Sequence, residues 1–261
     1  MAKQAEGKKM IAIDLTGKTA LVTGATGQLG RVMARTLARA GADIIVHYHR
    51  GADQAGKLVD EIRGLNRTAI AVGADITDEA SVASLRETAA RELRTPDIVV
   101  ANAVIQYAWT EVLKQPLSDY DSQYRSCVKQ NVLLAQAFVP GMVDKQWGRV
   151  IGINTECSML YSKTTSAYIS GKRGMDGVLR VLAREVGEQG ITVNQVAPGW
   201  TISEDHPDSD ASLDYRSRIP LKRRGTDREI AHVVAFLASD LASFITGAYI
   251  PVCGGNVMPA I

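Results

Sequence analysis

The sequence predicts one α/β domain built on a doubly wound parallel sheet. The chain has 261 residues, 46% of them hydrophobic and 22% charged, which suits a single soluble domain with an aliphatic core. Short β-branched runs recur between longer, Ala-rich, charged segments of helical spacing. That alternation implies parallel strands covered by helices on both faces. No linker, internal repeat or low-complexity tract interrupts it.

Taken in order, residues 1–12 are polar and precede the first periodic signal, so they are expected to form a loose leader to a domain spanning 13–261. Strands are expected at 19–23, 43–47, 69–72, 98–101, 149–154, 192–196 and 249–252, where the β-branched runs fall. Helices are expected at 29–40, 52–65, 78–91, 119–143, 166–188 and 227–239. The stretch 200–225 breaks the rhythm. It is long and rich in Asp, Ser and Arg, which marks it as a substrate loop or lid.

Thirty basic against twenty-eight acidic residues leave a net charge of +2. That balance supplies neither the phosphate-neutralising surface of a nucleic-acid binder nor a basic membrane face. The N-terminus lacks an apolar signal core, and no apolar run approaches the roughly 18 residues needed to span a bilayer. Cys127, Cys157 and Cys253 are odd in number and widely spaced, with no Cys/His cluster beside them. A reducing, cytoplasmic setting and no metal site are therefore expected.

The first strand runs into Thr23-Gly24-Ala25-Thr26-Gly27-Gln28-Leu29-Gly30 and then into a helix. Glycines at that junction permit a tight turn, while free N–H groups and the helix dipole favour a pyrophosphate. The second strand ends Val46-His47-Tyr48-His49-Arg50, without the acidic residue that would hold a ribose 2′-hydroxyl. His49 and Arg50 suit a 2′-phosphate, so NADP(H) is the expected cofactor and NAD(H) the alternative. A solvated basic loop is the other reading of that pair.

Tyr168 alone among eight tyrosines has a lysine four residues on, Lys172. One helical turn separates them, so both share a face. An ammonium beside a phenol favours the phenolate and would draw Tyr168 below its ordinary pKa of about 10. Such a tyrosine suits proton donation to a carbonyl oxygen. A half-buried aromatic beside a surface lysine is the plainer alternative.

Together these features resemble the short-chain dehydrogenase/reductases, in their single-domain branch, over about residues 14–257. Supporting stretches are Asp14-Leu15-Thr16-Gly17-Lys18, Ala74-Asp75, Ile191-Thr192-Val193-Asn194, Val196-Ala197-Pro198-Gly199, Phe236-Leu237-Ala238-Ser239-Asp240, Ile245-Thr246-Gly247 and Gly254-Gly255. The resemblance is strongest to 3-oxoacyl-acyl-carrier-protein reductases, and its motifs are shared with sugar, steroid and polyol enzymes. It implies a Rossmann fold with strand order 3-2-1-4-5-6-7, a nicotinamide cofactor and a homotetramer. It also implies Tyr168 as general acid/base, with Lys172 holding the nicotinamide ribose and tuning Tyr168. Thr23, Gly24, Gly27, Gln28, Leu29 and Gly30 would cradle the cofactor, and Asp75 with Ile76 would face the adenine. Asn102 and Ala103 would support the site after the fourth strand. Pro198, Gly199, Thr201 and Ser203 would bracket the nicotinamide carboxamide.

The sequence also departs from the pattern. The glycine turn has Gln28 where a glycine is usual, with Gly27 one position earlier, and Val104 replaces a glycine after the fourth strand. Thr155 occupies the catalytic serine's position, thirteen residues before Tyr168, and Ser158 is a possible stand-in. Cys127 falls at the fourth catalytic position, normally asparagine, and a shifted helix would put Asn131 there instead. In the family that residue supports a relay water partly through its backbone carbonyl. Cys253 replaces an aspartate, and its plainer reading is a buried thiol.

The leading expectation is an NADPH-linked reductase of a ketone or 3-oxoacyl thioester. Its charged loop suits polar or thioester substrates better than steroids, and Lys222-Arg223-Arg224 is either a dock for an acidic carrier protein or a solvated face. The alternative is a non-catalytic NADP-binding sensor or scaffold with a drifted site.

Overall fold

Alternate residues along each strand serve opposite sides of one sheet. In a computed structural model, which describes residues 11–205 and 207–258, β1 (Thr19–Val22), β2 (Asp43–Tyr48), β3 (Ala69–Gly73), β4 (Ile98–Ala101), β5 (Gly148–Ile153), β6 (Ile191–Pro198) and β7 (Tyr249–Val252) form it. Their order is β3-β2-β1-β4-β5-β6-β7, parallel throughout. Residues 1–10 of the expected leader and His206 of the expected lid lie outside the described residues.

Ala20, Val22, Ile44 and Val46 pack into a core under α1 (Gln28–Arg39), α2 (Ala52–Arg63) and α9 (Asp227–Ala238). Leu21, Ile45, Val99 and Val150 enter the opposite core, under α3 (Glu79–Glu92), α5 (Gln130–Lys145) and α7 (Ser166–Val186). The two-residue period of a strand divides one apolar run between two cores. Each Val, Leu or Ile side chain so buried stabilises by about 1.5–3 kcal/mol. The order reverses between β1 and β4, the switch point where such sheets open a crevice at the strands' carboxyl ends.

Two elements differ from the sequence expectation. The helix expected at 119–143 is α4 (Leu117–Gln123), a wide π-turn over Tyr124–Lys129, and then α5. A π-turn displaces backbone carbonyls from their usual donors. Here side-chain amides meet them: Gln130 donates to the Ser126 carbonyl and Asn131 to the Cys127 carbonyl, the latter at 2.6 Å.

The expected lid is not a bare loop. It contains a short 3-10 turn at Asp210–Ser212 and α8 (Leu213–Arg218). Arg224, only 3% exposed, stacks over Trp200 and donates to the carbonyls of Trp200, Thr201 and Pro207. Arg223 pairs with Glu229, and the Lys222 ammonium donates to the Ser217 carbonyl. Arg224 is therefore internal bracing of the loop, while Lys222 and Arg223 remain exposed. At the loop's start, Arg31 on α1 binds Asp205 at 2.5 Å and Arg35 reaches Glu204 at 3.4 Å.

Candidate active site

The glycine turn closes between β1 and α1. Gly24 has φ +60, and a Cβ on Gly30 would lie 2.2 Å from the Gly24 carbonyl oxygen. Only glycine at position 30 lets the helix begin so close to the turn. Gly27 is the N-cap of α1 and supplies no side-chain cap, so the first-turn N–H groups around Gln28, Leu29 and Gly30 form the donor-rich helix end expected of an anion cradle.

His47, which the sequence reading passed over in favour of His49 and Arg50, holds this turn from below. Its Nδ1 accepts the Gly24 N–H at 3.1 Å, so Nε2 carries the hydrogen and donates to the Ala74 carbonyl at 3.0 Å. Burial pushes its pKa down to about 4, against the opposing pull of the Ala74 carbonyl. His47 is thus a neutral imidazole of fixed tautomer. Its sequence signal was a polar residue inside an otherwise apolar strand.

Thr23 is fully buried and supports the cradle from behind instead of facing a ligand. Its hydroxyl accepts the N–H groups of Asn102 and Ala103 and donates to Gln130 Oε1 at 2.9 Å. The Asn102 amide donates to the carbonyls of Thr23 and Gly24. Gln130, unmarked in the sequence, closes the set by donating to the Ala103 carbonyl at 2.9 Å. Val104 packs against the core below. Asp75 Oδ1 is held by the Thr77 N–H and hydroxyl, both at 2.8 Å, and Ile76 is buried next to it. His49 and Arg50 are exposed at the end of β2.

Tyr168 and Lys172 stand one turn apart on α7, with the lysine nitrogen 5.7 Å from the tyrosine ring centroid. Lys172 is buried and donates to the Ile153 carbonyl at 2.6 Å, and burial pushes its ammonium pKa down. The expectation that Lys172 draws the Tyr168 pKa down does not hold in this geometry. Burial dominates and pushes the phenol up, with the Cys157 and Cys127 thiols adding to the rise and a hydrogen bond from Thr155 opposing it. Desolvation of a phenolate outweighs the pull of a lysine one turn away that is itself desolvated.

Thr155 lies between β5 and the short α6 (Cys157–Leu160), with its hydroxyl near the Tyr168 phenol and accepting the Cys157 N–H at 3.2 Å. Ser158 is not a stand-in: it is fully buried and donates to Asn154 Oδ1 at 2.9 Å. Asn131 does not replace Cys127 either, because its amide is turned back onto the Cys127 carbonyl. That bond also occupies part of the carbonyl that the resemblance would assign to a relay. The Cys127 thiol is buried, close enough to influence both Tyr168 and Lys172 electrostatically. Two aromatic residues unmarked in the sequence complete the wall. Trp109 stacks on Tyr168 with centroids 5.8 Å apart, and Tyr107 Oη accepts the Tyr168 N–H at 2.7 Å.

On the far side, the turn at Pro198 and Gly199 is fixed by the Gly199 N–H bond to Val252, and Thr201 and Ser203 follow it. Ser203 is buried, yet its hydroxyl has no partner among the described residues. A glycine turn with no room for a Cβ, running into an uncapped helix end with free first-turn N–H groups, is what a pyrophosphate would satisfy. The residues present therefore fit a nicotinamide dinucleotide. Cys253 is a buried thiol bonded to the Val257 backbone. The described residues contain no cluster suited to a metal ion and no helix long and apolar enough to cross a membrane.

A parallel sheet with a glycine turn at its switch point and a Tyr/Lys pair at its carboxyl edge defines a Rossmann oxidoreductase. Comparison with known proteins narrows this class. The profile of the family described as enoyl-(acyl carrier protein) reductase matches residues 24–256. The 3-oxoacyl-[acyl-carrier-protein] reductase FabG of Pseudomonas aeruginosa is 35% identical over 94% of this chain and 100% of its own. A blue fluorescent protein from a metagenomic library, solved with NADPH, superposes with TM-score 0.87 at 33% identity, covering 94% of this chain and 100% of that one. A 7α-hydroxysteroid dehydrogenase solved with NADH and 7-oxo glycochenodeoxycholic acid gives TM-score 0.87 at 30% identity, over 95% and 97%. The chain belongs to the short-chain dehydrogenase/reductase family and is an oxidoreductase with a nicotinamide cofactor.

Proposed function

We propose that the protein reduces a ketone or 3-oxoacyl thioester to the alcohol with NADP(H). The observation that carries this reading is the Thr155 hydroxyl lying beside the Tyr168 phenol, with buried Lys172 one helical turn from that tyrosine. Two neighbouring hydroxyls can share a carbonyl oxygen placed between them. A phenol held above its ordinary pKa is protonated at neutral pH, so Tyr168 is ready to give its proton to the oxygen as negative charge develops. The ammonium of Lys172 lies close enough to stabilise the phenolate left behind. A bound cofactor would supply the hydride, and the residues that would hold it are Gly24, Gly27, Gln28, Leu29 and Gly30 at the α1 end, Asp75 and Ile76, and Pro198, Gly199, Thr201 and Ser203. Thr23, Asn102 and Ala103 keep that cradle in shape, and Cys127 lies beside Lys172.

Support for NADP over NAD is the exposed pair His49 and Arg50, for which no ion pair forms among the described residues. The acyl-thioester reading is supported by the similarity to the Pseudomonas reductase. A homotetramer is supported by an apolar groove along α5 and α7, lined by Val132, Val139, Val178, Val181 and Leu182, and a cytoplasmic location by the reduced cysteines.

The test is NADPH oxidation, with NADH as comparator, against acetoacetyl thioesters, diketones, keto-sugars and quinones. Tyr168→Phe is expected to lower kcat by about 100-fold or more, with NADPH preferred in the wild type. Undiminished turnover in the variant would remove Tyr168 as the acid.

A further inference from the structure

The reaction above leaves one buried carboxylate without a role. Glu156 follows Thr155 directly and is 4% exposed. Among the described residues it forms no ion pair, and neutral donors meet both its oxygens. Tyr215 Oη on α8 donates to Oε1 at 2.8 Å, and the Asn256 amide donates to Oε2 at 3.0 Å. Burial raises its pKa while these bonds pull it back. Burying a carboxylate without a cation is costly.

Its neighbours show what it joins. The Glu156 N–H donates to the Pro198 carbonyl at 3.0 Å. Tyr215 Oη, while donating to Glu156, accepts the Trp200 N–H at 2.9 Å. A Cβ on Gly199 would lie 2.4 Å from that same phenol oxygen and 3.0 Å from Cys253. Tyr215 is thus wedged against the 198–200 turn, and the Trp200 ring meets it edge-on at 5.6 Å. One carboxylate gathers three segments: the strand end carrying Thr155, the turn after β6 with α8, and the C-terminal turn at Asn256.

We propose that Glu156 is a positioning residue that, through Tyr215 and Asn256, locks the 198–200 turn and α8 in register with the Thr155 hydroxyl. This rests on the reductase reading, in which that turn brackets the nicotinamide and Thr155 holds the substrate oxygen. The lock needs an anion because both partners donate. A carboxylate accepts twice and donates to neither, whereas glutamine would turn an N–H toward one of them. Tyr215 is likewise fixed in sense, because its single hydrogen goes to Glu156 and its oxygen lone pair receives Trp200. Misplacing two reacting groups by a fraction of an ångström lowers the chemical rate more than it lowers binding.

Glu156→Ala, Glu156→Gln, Tyr215→Phe and Glu156→Ala/Tyr215→Phe are to be compared with wild type in two readouts. Amide hydrogen exchange over 199–218 is expected to accelerate about tenfold in Glu156→Ala and Tyr215→Phe, with β1 to β5 unchanged. At saturating NADPH, kcat is expected to fall about tenfold or more, with carbonyl KM changing less than about threefold. Glu156→Gln should retain an intermediate rate, and the double variant should be no worse than the poorer single one, as befits one coupled unit. Unchanged exchange overturns the proposal. So does a loosened turn with wild-type kcat, or additive losses in the double variant. Tyr215→Phe removes a single oxygen and carries the comparison should Glu156→Ala fail to fold. If the wild type reduces no carbonyl, the reductase reading fails by itself, and the exchange result still decides whether the lock exists.

Discussion

Protonating His47 should cost the protein both stability and cofactor affinity. The folded state needs a neutral imidazole, because Nδ1 accepts the Gly24 N–H and Nε2–H serves the Ala74 carbonyl. A proton on Nδ1 would set two donors against each other at 3.1 Å. With the folded pKa near 4 against an ordinary 6.5, the unfolded chain binds the proton first as the pH falls. The stabilisation is therefore complete above about pH 6.5 and is lost progressively on acidification through about pH 4. At about 1.4 kcal/mol per pH decade, that interval corresponds to about 3 kcal/mol. His47→Asn retains an acceptor for Gly24 and has no proton to gain. Urea unfolding of both proteins at several pH values between 7.5 and 4.5 should show the wild type losing stability faster, by about 2 kcal/mol at the lower end. NADPH affinity of the folded wild type should hold over that range and fall only as the pH approaches about 4, where folded His47 itself takes the proton and the turn opens. A wild-type minus variant difference that stays constant with pH would refute the assignment of a neutral, turn-holding His47.

Two further substitutions probe the cradle and the loop. Gly30→Ala places a Cβ where the structure leaves 2.2 Å to a carbonyl oxygen; it is expected to destabilise by about 1–3 kcal/mol, read by denaturation, and to weaken NADPH binding, read by fluorescence titration. Arg224→Ala deletes the stack on Trp200 and leaves three loop carbonyls without their donor, so proteolytic cleavage within 200–225 should accelerate about fivefold or more, with the unfolding of the sheet remaining a single transition.

The strands and their parallel arrangement were legible because both faces of the sheet are buried, which forces short β-branched runs, and because helices of helical period separate them; their order followed only from the family resemblance. The glycine turn and the Tyr168/Lys172 pair were legible because each works through local spacing, a sharp turn in one case and a helical turn in the other. What the sequence hid depends on contacts between distant segments. His47 reaches across 23 positions to Gly24, Gln130 across 107 to Thr23, and Glu156 across 100 to Asn256. Of these only His47 stands out locally, as a polar residue in an apolar strand, and nothing near it in the chain says which contact it makes. The π-turn at Tyr124–Lys129 was hidden for a related reason: its stability comes from side-chain amides of Gln130 and Asn131 folding back on carbonyls, a geometry that apolar periodicity does not encode.

The tuning of Tyr168 shows how such hidden contacts change chemistry as well as shape. Proximity to Lys172 gives the right sign for lowering a phenol pKa, but the size of that pull depends on how solvated each partner is. In the folded chain Trp109 covers one face of the phenol, and thiols of Cys127 and Cys157 stand nearby. Lys172 is itself desolvated, with its Nζ bonded to the Ile153 carbonyl. The phenol is thus held protonated and the ammonium is held where charge would appear once the proton leaves. That division favours donation to a carbonyl oxygen over abstraction from an alcohol at neutral pH. The same reasoning assigns Thr155 its part: a neutral hydroxyl beside Tyr168 pulls the phenol pKa down, steadying the anionic form without supplying a charge.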